Sequence, residues 1–356
     1  MGIKMSTFID LLRQHHQALE TQYSVKLTPD MRHAIFAMLS CKTAQQGKSL
    51  WACSSCEHHD SQALSCGNRH CPQCQQSTTS TWLERQKQKR LPVEYFMTTF
   101  TLPYELRALA RRRPKALYQI MFSVSASIMK DFAKTSQLGD IGFTSVLHTH
   151  SRKRDLHPHI HMMVPNGGYD AKRKQWKKGK SGYLFNAKAL AKVWRARIFE
   201  AINQHHDLSL KNIKIMPKKW VVDCRKVGYG LPALKYLSRY LYRGVLADKD
   251  IIHHDKDNVT FRYIDSTTKK TDTHTLPTLK FLLLILRHVL PKGLQRVRDY
   301  GLLSSGARKL RLLIQLLLTE FTHMLPPSIT PIKPKATRVC PCCKHHMLCT
   351  GVIRAG

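Results

Sequence analysis

Ten of the eleven cysteines fall into two clusters: Cys41, Cys53, Cys56, Cys66, Cys71 and Cys74, then Cys340, Cys342, Cys343 and Cys349. Cys53-x-x-Cys56 and Cys71-x-x-Cys74 flank fourteen residues. Two such knuckles can place four thiolates tetrahedrally around one Zn²⁺, with Zn–S near ~2.3 Å. The spacing therefore predicts a structural zinc held by Cys53, Cys56, Cys71 and Cys74, in preference to redox-active thiols. Cys66, His58, His59 and His70 are available to replace one thiolate or, with Cys41, to complete a second site. The C-terminal Cys340-Pro-Cys-Cys343, with His345, His346 and Cys349, is also metal-competent, but its donors are too crowded to assign. The odd cysteine total, the chain size and a start without the apolar core of a signal peptide argue against a disulfide framework. Cys224, the isolated one, reads as a small buried hydrophobe.

Charge narrows the partner. The 356 residues carry 58 Lys and Arg against 23 Asp and Glu, a formal net charge of +35, while 42% are hydrophobic. That apolar content is enough for a sizeable core, and the length suits two or three domains. An excess of this size calls for a polyanion, nucleic acid or an anionic membrane. The most apolar run, Phe281 to Leu286, is far shorter than the ~20 residues of a spanning helix. The expectation is a soluble, intracellular protein that binds nucleic acid and no membrane.

The hydrophobic pattern predicts two helices over residues 8–40, the second opened by Thr28-Pro29-Asp30. The knuckle region follows to about residue 76, then a polar helix from Trp82 to Arg90, with Pro92 as a boundary. Tyr95 to Leu102, Gly142 to His150 and Leu156 to Pro165 read as strands. Lys172 to Lys180 is a strongly basic loop or ribbon. Residues 187–203 and Leu231 to Tyr242 read as helices, Trp220 to Cys224 as a short strand, and the segment around Val259 to Tyr263 as a hairpin. Leucine-rich helices occupy 278–290 and 306–325, and Pro326-Pro327 starts a linker to the last cysteines. Two Gly-Lys-Ser triplets do not make a phosphate-binding P-loop, which needs Gly five positions earlier; Lys42 and Lys174 stand there. Nucleotide hydrolysis has no support, so any reaction must conserve bond energy or run downhill.

His157-Pro158-His159-Ile160-His161 lies in a predicted strand, where alternate residues share a face. His159 and His161 then point the same way, with His157 as a further donor on that face. Neutral imidazoles at this spacing suit a divalent ion that polarises a phosphate oxygen, although an isolated pair of this kind is more often merely solvated. In the predicted helix around residues 235–243, Tyr236 and Tyr240 are one turn apart on one face. Ordinary aromatic packing also explains such a pair. A phenol of pKa ~10 is a poor nucleophile without assistance, yet a phosphotyrosyl bond keeps the energy of a broken strand and can be resealed without ATP.

Taken together, these elements resemble the HUH-type (His-hydrophobe-His), two-tyrosine rolling-circle transposases of bacterial insertion sequences, the kind with an N-terminal zinc-binding domain. Ser65-Cys-Gly-Asn-Arg-His-Cys-Pro-Gln-Cys-Gln75 looks like that family's zinc signature, usually with Arg where Gly67 stands. Phe100 to Leu106 looks like its first strand-to-helix junction. Leu147-His-Thr149 and Leu156 to His161 are similar to its metal strands, and Tyr236-Leu-Ser-Arg-Tyr240 to its catalytic helix. Val259 to Arg262, His288 to Gly293 and Arg298 to Leu303 are similar to later family blocks. The resemblance spans nearly the whole chain.

The resemblance implies an α+β chain with an antiparallel-sheet nuclease domain flanked by helices. It implies domains over 1–91 (helical, zinc- and DNA-binding), 92–265 (catalytic), 266–325 (helical) and 326–356 (linker and Cys/His-rich tail). It further implies Mg²⁺ or Mn²⁺ on His159, His161 and a third ligand, for which His157 and His148 are the best candidates and Asp223 an outside one. Tyr236 or Tyr240 then attacks single-stranded DNA to give a 5′-phosphotyrosine, while the other tyrosine serves a second strand. Arg239 and Lys235 meet phosphate or simply face solvent. The expected partners are insertion-sequence ends and target DNA, in the bacterial cytoplasm at the nucleoid. A replication initiator or relaxase shares this chemistry, and a non-catalytic zinc-dependent DNA-binding protein is the rival of another class.

Overall fold

The computed structural model describes residues 6–151, 154–211, 213, 215–241, 246, 248–265, 268, 270–322 and 338–354, without the side chains of 75–79, 239–241 and 320–322. It is an α+β chain built from antiparallel sheets and helices. Two compact units emerge, one from residues within 1–84, 242–289 and 330–356, the other from 85–241 and 290–329. The backbone therefore passes between them four times. This differs from the expected boundaries at 91, 265 and 325, because segments distant in sequence complete each other's cores.

In the first unit the helices Thr7–Tyr23 and Pro29–Leu39 form as their pattern dictates. Thr28 caps the second, its hydroxyl accepting from the Met31 amide at 3.2 Å, with Pro29 in the first turn where no amide donor is missed. Neither helix can bury its apolar stripe alone. The leucine-rich helix Thr278–Leu286 supplies the missing face, with Phe8 and Phe281 rings 6.3 Å apart and Phe281 5.5 Å from Phe261. Phe261 belongs to the strand Asn258–Ile264, the middle of a three-stranded sheet with Ile251–His254 and Thr271–Pro277. The apolar run Phe281 to Leu286 is thus core, and among the described residues no helix is long and apolar enough to cross a membrane. A second sheet joins the hairpin Lys48–Cys53/His59–Ala63 to Arg338–Val339/His346–Ile353, with Lys48–Cys53 and His346–Ile353 adjacent.

The second unit is organised by a five-stranded antiparallel sheet in the order Val297–Gly301, Gly142–His150, Leu156–Pro165, Tyr95–Thr101, Val222–Lys226. The edge strand Val297–Gly301 escaped the hydrophobic pattern, since only Val297 and Tyr300 offer apolar bulk there. One face buries Phe96, Phe100, Phe143, Leu147, Ile160, Met162 and Val164 beneath the helices Pro114–Thr135 and Ala187–Gln204. Trp194 seals that layer, its ring tilted by 57° and centred 5.1 Å from that of Phe100, and donates its indole N–H to the Thr101 carbonyl at 3.1 Å. With a period of two, residues between these point to the opposite face, and that is where the histidines stand.

Asp299 on the edge strand accepts from Lys89 Nζ at 2.5 Å, Thr144 Oγ1 at 2.6 Å and Gln86 Nε2 at 3.2 Å. Removing the shared acceptor takes this partner from Lys89 Nζ and Gln86 Nε2 in a largely buried setting, while the Thr144 hydroxyl keeps Gln86 Oε1 at 3.2 Å. Asp299→Ala is expected to destabilise the protein by about 2 kcal/mol, read as a lowered Tm, whereas Asp299→Asn should recover part of the loss; equal Tm values for Asp299→Ala and the parent would refute the assignment.

Candidate active site and metal centres

The central strand Leu156–Pro165 presents His159 and His161 on one face, as its alternation requires. Register then adds the third member: His148, on Gly142–His150, is paired directly with His159. Ligand atoms of His148, His159 and His161 all lie within 4.8 Å of one another, and the ring centroids are 4.6–5.2 Å apart. His157 does not join this group. Its Nδ1 faces the Arg107 guanidinium at 2.9 Å and, opposite a pure donor, must accept. The same-face rule was therefore satisfied, but the strand's end aims His157 at a helix, while a neighbouring strand brings His148 inward. Asp223 is in register with Thr99 and lies 3.2 Å from Arg225 Nε, outside the cluster.

The supporting hydrogen bonds orient the rings. His159 Nδ1 lies 2.7 Å from the His157 carbonyl, which can only accept, so Nδ1 carries the hydrogen and Nε2 keeps its lone pair. His161 Nδ1 lies 2.9 Å from Thr99 Oγ1, the residue opposite it in register. Burial drives the His161 imidazole down to about 3, with His159 and Arg225 reinforcing it, and drives His159 down to about 4. Burial also holds His148 well below the ordinary range. All three are neutral at physiological pH and offer lone pairs, the form a metal needs. Among the described residues the group includes no carboxylate. Such an all-imidazole set suits Mn²⁺ better than Mg²⁺, which favours oxygen donors. Thr99→Val should weaken divalent-metal affinity by ~10-fold through loss of ring orientation; metal titration of activity should show a shifted midpoint and an unchanged plateau.

Tyr236 approaches this face from the helix Leu231–Leu241, its ring 6.2 Å from that of His161 and nearly perpendicular to it. Leu234, Leu237 and Ser238 are buried at helical spacing, so the helix is seated firmly. The approach depends on Gly230, at φ +81°, where a Cβ would stand 3.0 Å from the Tyr95 ring. A side chain there would require the Tyr95 ring to give by a few tenths of an ångström and would hold the backbone at a φ that L residues rarely adopt. Position 240 follows one turn later on the same helix, but the side chains of Tyr240 and Arg239 lie outside the described residues. Lys235 is exposed on this helix. The basic segment forms a two-stranded ribbon, Gly167–Asp170 with Gln175–Lys178, and exposes Lys172, Arg173 and Lys174 at its turn.

The thiols separate into two groups rather than the single set expected from Cys53, Cys56, Cys71 and Cys74. Cys71 and Cys74 gather with Cys41 and Cys66, all donor atoms within 4.8 Å; Cys41–Cys74 and Cys66–Cys74 are 3.6 and 3.7 Å apart. A tetrahedron with Zn–S near ~2.3 Å has edges of roughly 3.8 Å, so the group fits zinc. Cys41 and Cys71 are fully buried against the helical core. Neighbouring thiols, Cys66 first and then Cys71, lower Cys41 to about 7, and Cys41, Cys66 and Cys71 lower Cys74 further. Gly67, at φ +63°, makes the left-handed turn within this loop. Cys53 and Cys56 instead lie with Cys340 and Cys343. The hairpin Lys48–Cys53/His59–Ala63 carries the first knuckle away from the second, which linear spacing does not reveal. His70, His58, His59, His345 and His346 are not among either set of grouped donors.

A family model described as a putative transposase matches residues 142–311, and one described as a transposase zinc-binding domain matches residues 11–102. The putative transposase y4qJ of Sinorhizobium fredii (strain NBRC 101917 / NGR234) is 29% identical over 325 residues, covering 85% of this chain and 81% of the relative. The transposase for insertion sequence element IS801 of Pseudomonas savastanoi pv. phaseolicola is 26% identical over 297 residues, covering 75% and 69%. No solved structure matches.

Proposed function

We propose that the chain, a transposase of the IS91/IS801 kind by its similarity to these two family models and relatives, cuts and rejoins single-stranded DNA through a phosphotyrosine. The observation that carries the reading is the placement of Tyr236 beside the neutral triad of His148, His159 and His161. In this reading the triad holds a divalent ion, which supplies charge to neutralise a phosphate oxygen. Tyr236 Oη forms a bond to phosphorus as the P–O3′ bond breaks; the phenolic proton passes to solvent and the departing 3′-oxygen is protonated. The 5′-phosphate stays on the protein until a 3′-hydroxyl attacks it and restores the phenol. Tyr240, one turn on, is assigned to the second strand, and Lys235 and Arg239 to phosphate contacts. The basic ribbon tip and the zinc-bearing unit take the backbone of insertion-sequence ends, with salt-sensitive affinity, on nucleoid DNA.

The test is covalent capture. The protein is mixed with labelled single-stranded DNA carrying candidate ends and Mn²⁺, then denatured and digested. A DNA-bearing peptide containing Tyr236 is expected. A product cleaved without any protein adduct would rule out the phosphotyrosine. No cleavage across divalent ions and candidate ends would return the protein to the non-catalytic DNA-binding reading.

A further inference from the structure

The geometry points to a second structural zinc, held by Cys53, Cys56, Cys340 and Cys343, that closes a zinc ribbon from the two distant ends of the chain. The first observation is the donor set. All four sulfurs lie within 4.8 Å of one another, with Cys53–Cys343 at 3.3 Å and Cys56–Cys340 at 3.7 Å. Those separations match tetrathiolate edges of roughly 3.8 Å and are well beyond the ~2.05 Å of a disulfide.

The second observation is that the two knuckles are built alike. Each is a Cys-x-x-Cys at the tip of a two-stranded hairpin. The Cys53 amide donates to the His58 carbonyl at 3.0 Å, and the Cys340 amide donates to the His345 carbonyl at 2.8 Å, five residues on in both cases. The sulfurs are served alike as well. Backbone amides of Ser55 and Cys56 point at Cys53, with Ser55 N 3.4 Å from Sγ, and those of Cys343 and Cys342 point at Cys340. Amides of His58 and His345 face the second cysteine of each knuckle. Amides turned onto sulfur stabilise thiolate, the species that binds metal.

The third observation is what the sheet lacks. In His346–Ile353 only Met347 is buried, while Leu348, Val352 and Ile353, and Val339 of the neighbouring strand, are exposed, so burial contributes little to holding His346–Ile353 beside Lys48–Cys53. Arg338 spans the hairpins, reaching Asp60 at 2.9 Å and lying over Trp51, but a partly exposed ion pair is worth at most ~1 kcal/mol. A sheet with so small a core needs a metal or a covalent link. The ligand class is therefore a soft, tetrahedral divalent ion, and the role is to clasp the C-terminal strand to the N-terminal hairpin. The site shares no ligand with Cys41, Cys66, Cys71 and Cys74 and does not depend on the strand-cleavage reading.

Cobalt substitution of the full chain tests this, because thiolate-to-cobalt charge-transfer absorption counts sulfur sites and ignores the histidine triad. Two tetrathiolate metals per chain are expected. Cys340→Ser/Cys343→Ser should halve the charge-transfer intensity and free the segment around residues 346–353 for limited proteolysis. Cys342→Ser and Cys349→Ser should leave the intensity unchanged, and Cys343→His should keep two metals with a shifted spectrum. A parent chain with one thiolate-bound metal, or a double variant of undiminished intensity, overturns the assignment. So does an intact mass lower by two hydrogens that maps to a Cys53–Cys343 disulfide; the parent's metal count decides even if the double variant fails to fold.

Discussion

Tyr236→Phe is expected to lower covalent strand cleavage by ~10⁴-fold or more, the scale of losing a nucleophile from an otherwise intact site. The phenyl ring keeps its place near His161, because Leu234, Leu237 and Ser238 and the close packing at Gly230 seat the helix. Metal and DNA binding should therefore persist, separating a chemical defect from a binding defect. The measurement is adduct yield against time, beside metal titration and DNA binding at fixed salt. Cleavage at parental rate by Tyr236→Phe would move the first attack to Tyr240 or away from tyrosine altogether.

Cys74→Ser should abolish cooperative folding of the zinc-bearing helical unit. Structural zinc contributes on the order of 10–16 kcal/mol in small metal-dependent domains, comparable with or larger than a domain's total stability of about 5–15 kcal/mol. Cys74 lies 3.6 Å from Cys41 and 3.7 Å from Cys66, and Cys41 and Cys71 are fully buried against the core formed by Phe8, Phe261 and Phe281. Losing the metal leaves polarizable sulfurs, two of them fully buried, without their shared partner against that core. Metal content and the cooperativity of thermal unfolding are the readouts. Retention of the metal together with parental Tm would mean that Cys41, Cys66 and Cys71 suffice.

Most of the histidine-bearing sheet was legible in the sequence as short strands. Tyr95–Thr101 forms where its β-branched and aromatic residues predict a strand, Gly142–His150 and Leu156–Pro165 fall where strands were expected, and Ile160 between two histidines marks the core face. Local patterns also placed the tyrosine helix. What they could not supply was register. His148 and His157 were both candidates, and only the pairing of His148 with His159 separates them. The same limit explains the zinc ligands. Four cysteines in two knuckles looked like one site, yet strand pairing sends Cys53 and Cys56 to a partner 284 or more residues away. The helix Thr278–Leu286 announced its apolarity but not its destination, which is the face of Thr7–Tyr23. The two compact units differ from the expected boundaries for that reason.

The pairing of Lys48–Cys53 with His346–Ile353 also sets a clock on biosynthesis. Cys340 follows Cys56 by 284 residues, and ribosomes add roughly 5–20 residues per second. For roughly 15–60 s, each nascent chain carries a strand with one free edge and two thiols whose partners have not been made. An open edge is a template for pairing with another chain, and exposed thiolates are open to oxidation or to the wrong metal. Chains aborted before residue 340 keep that edge permanently, so prematurely ended copies should be sticky species cleared by proteolysis rather than functional fragments.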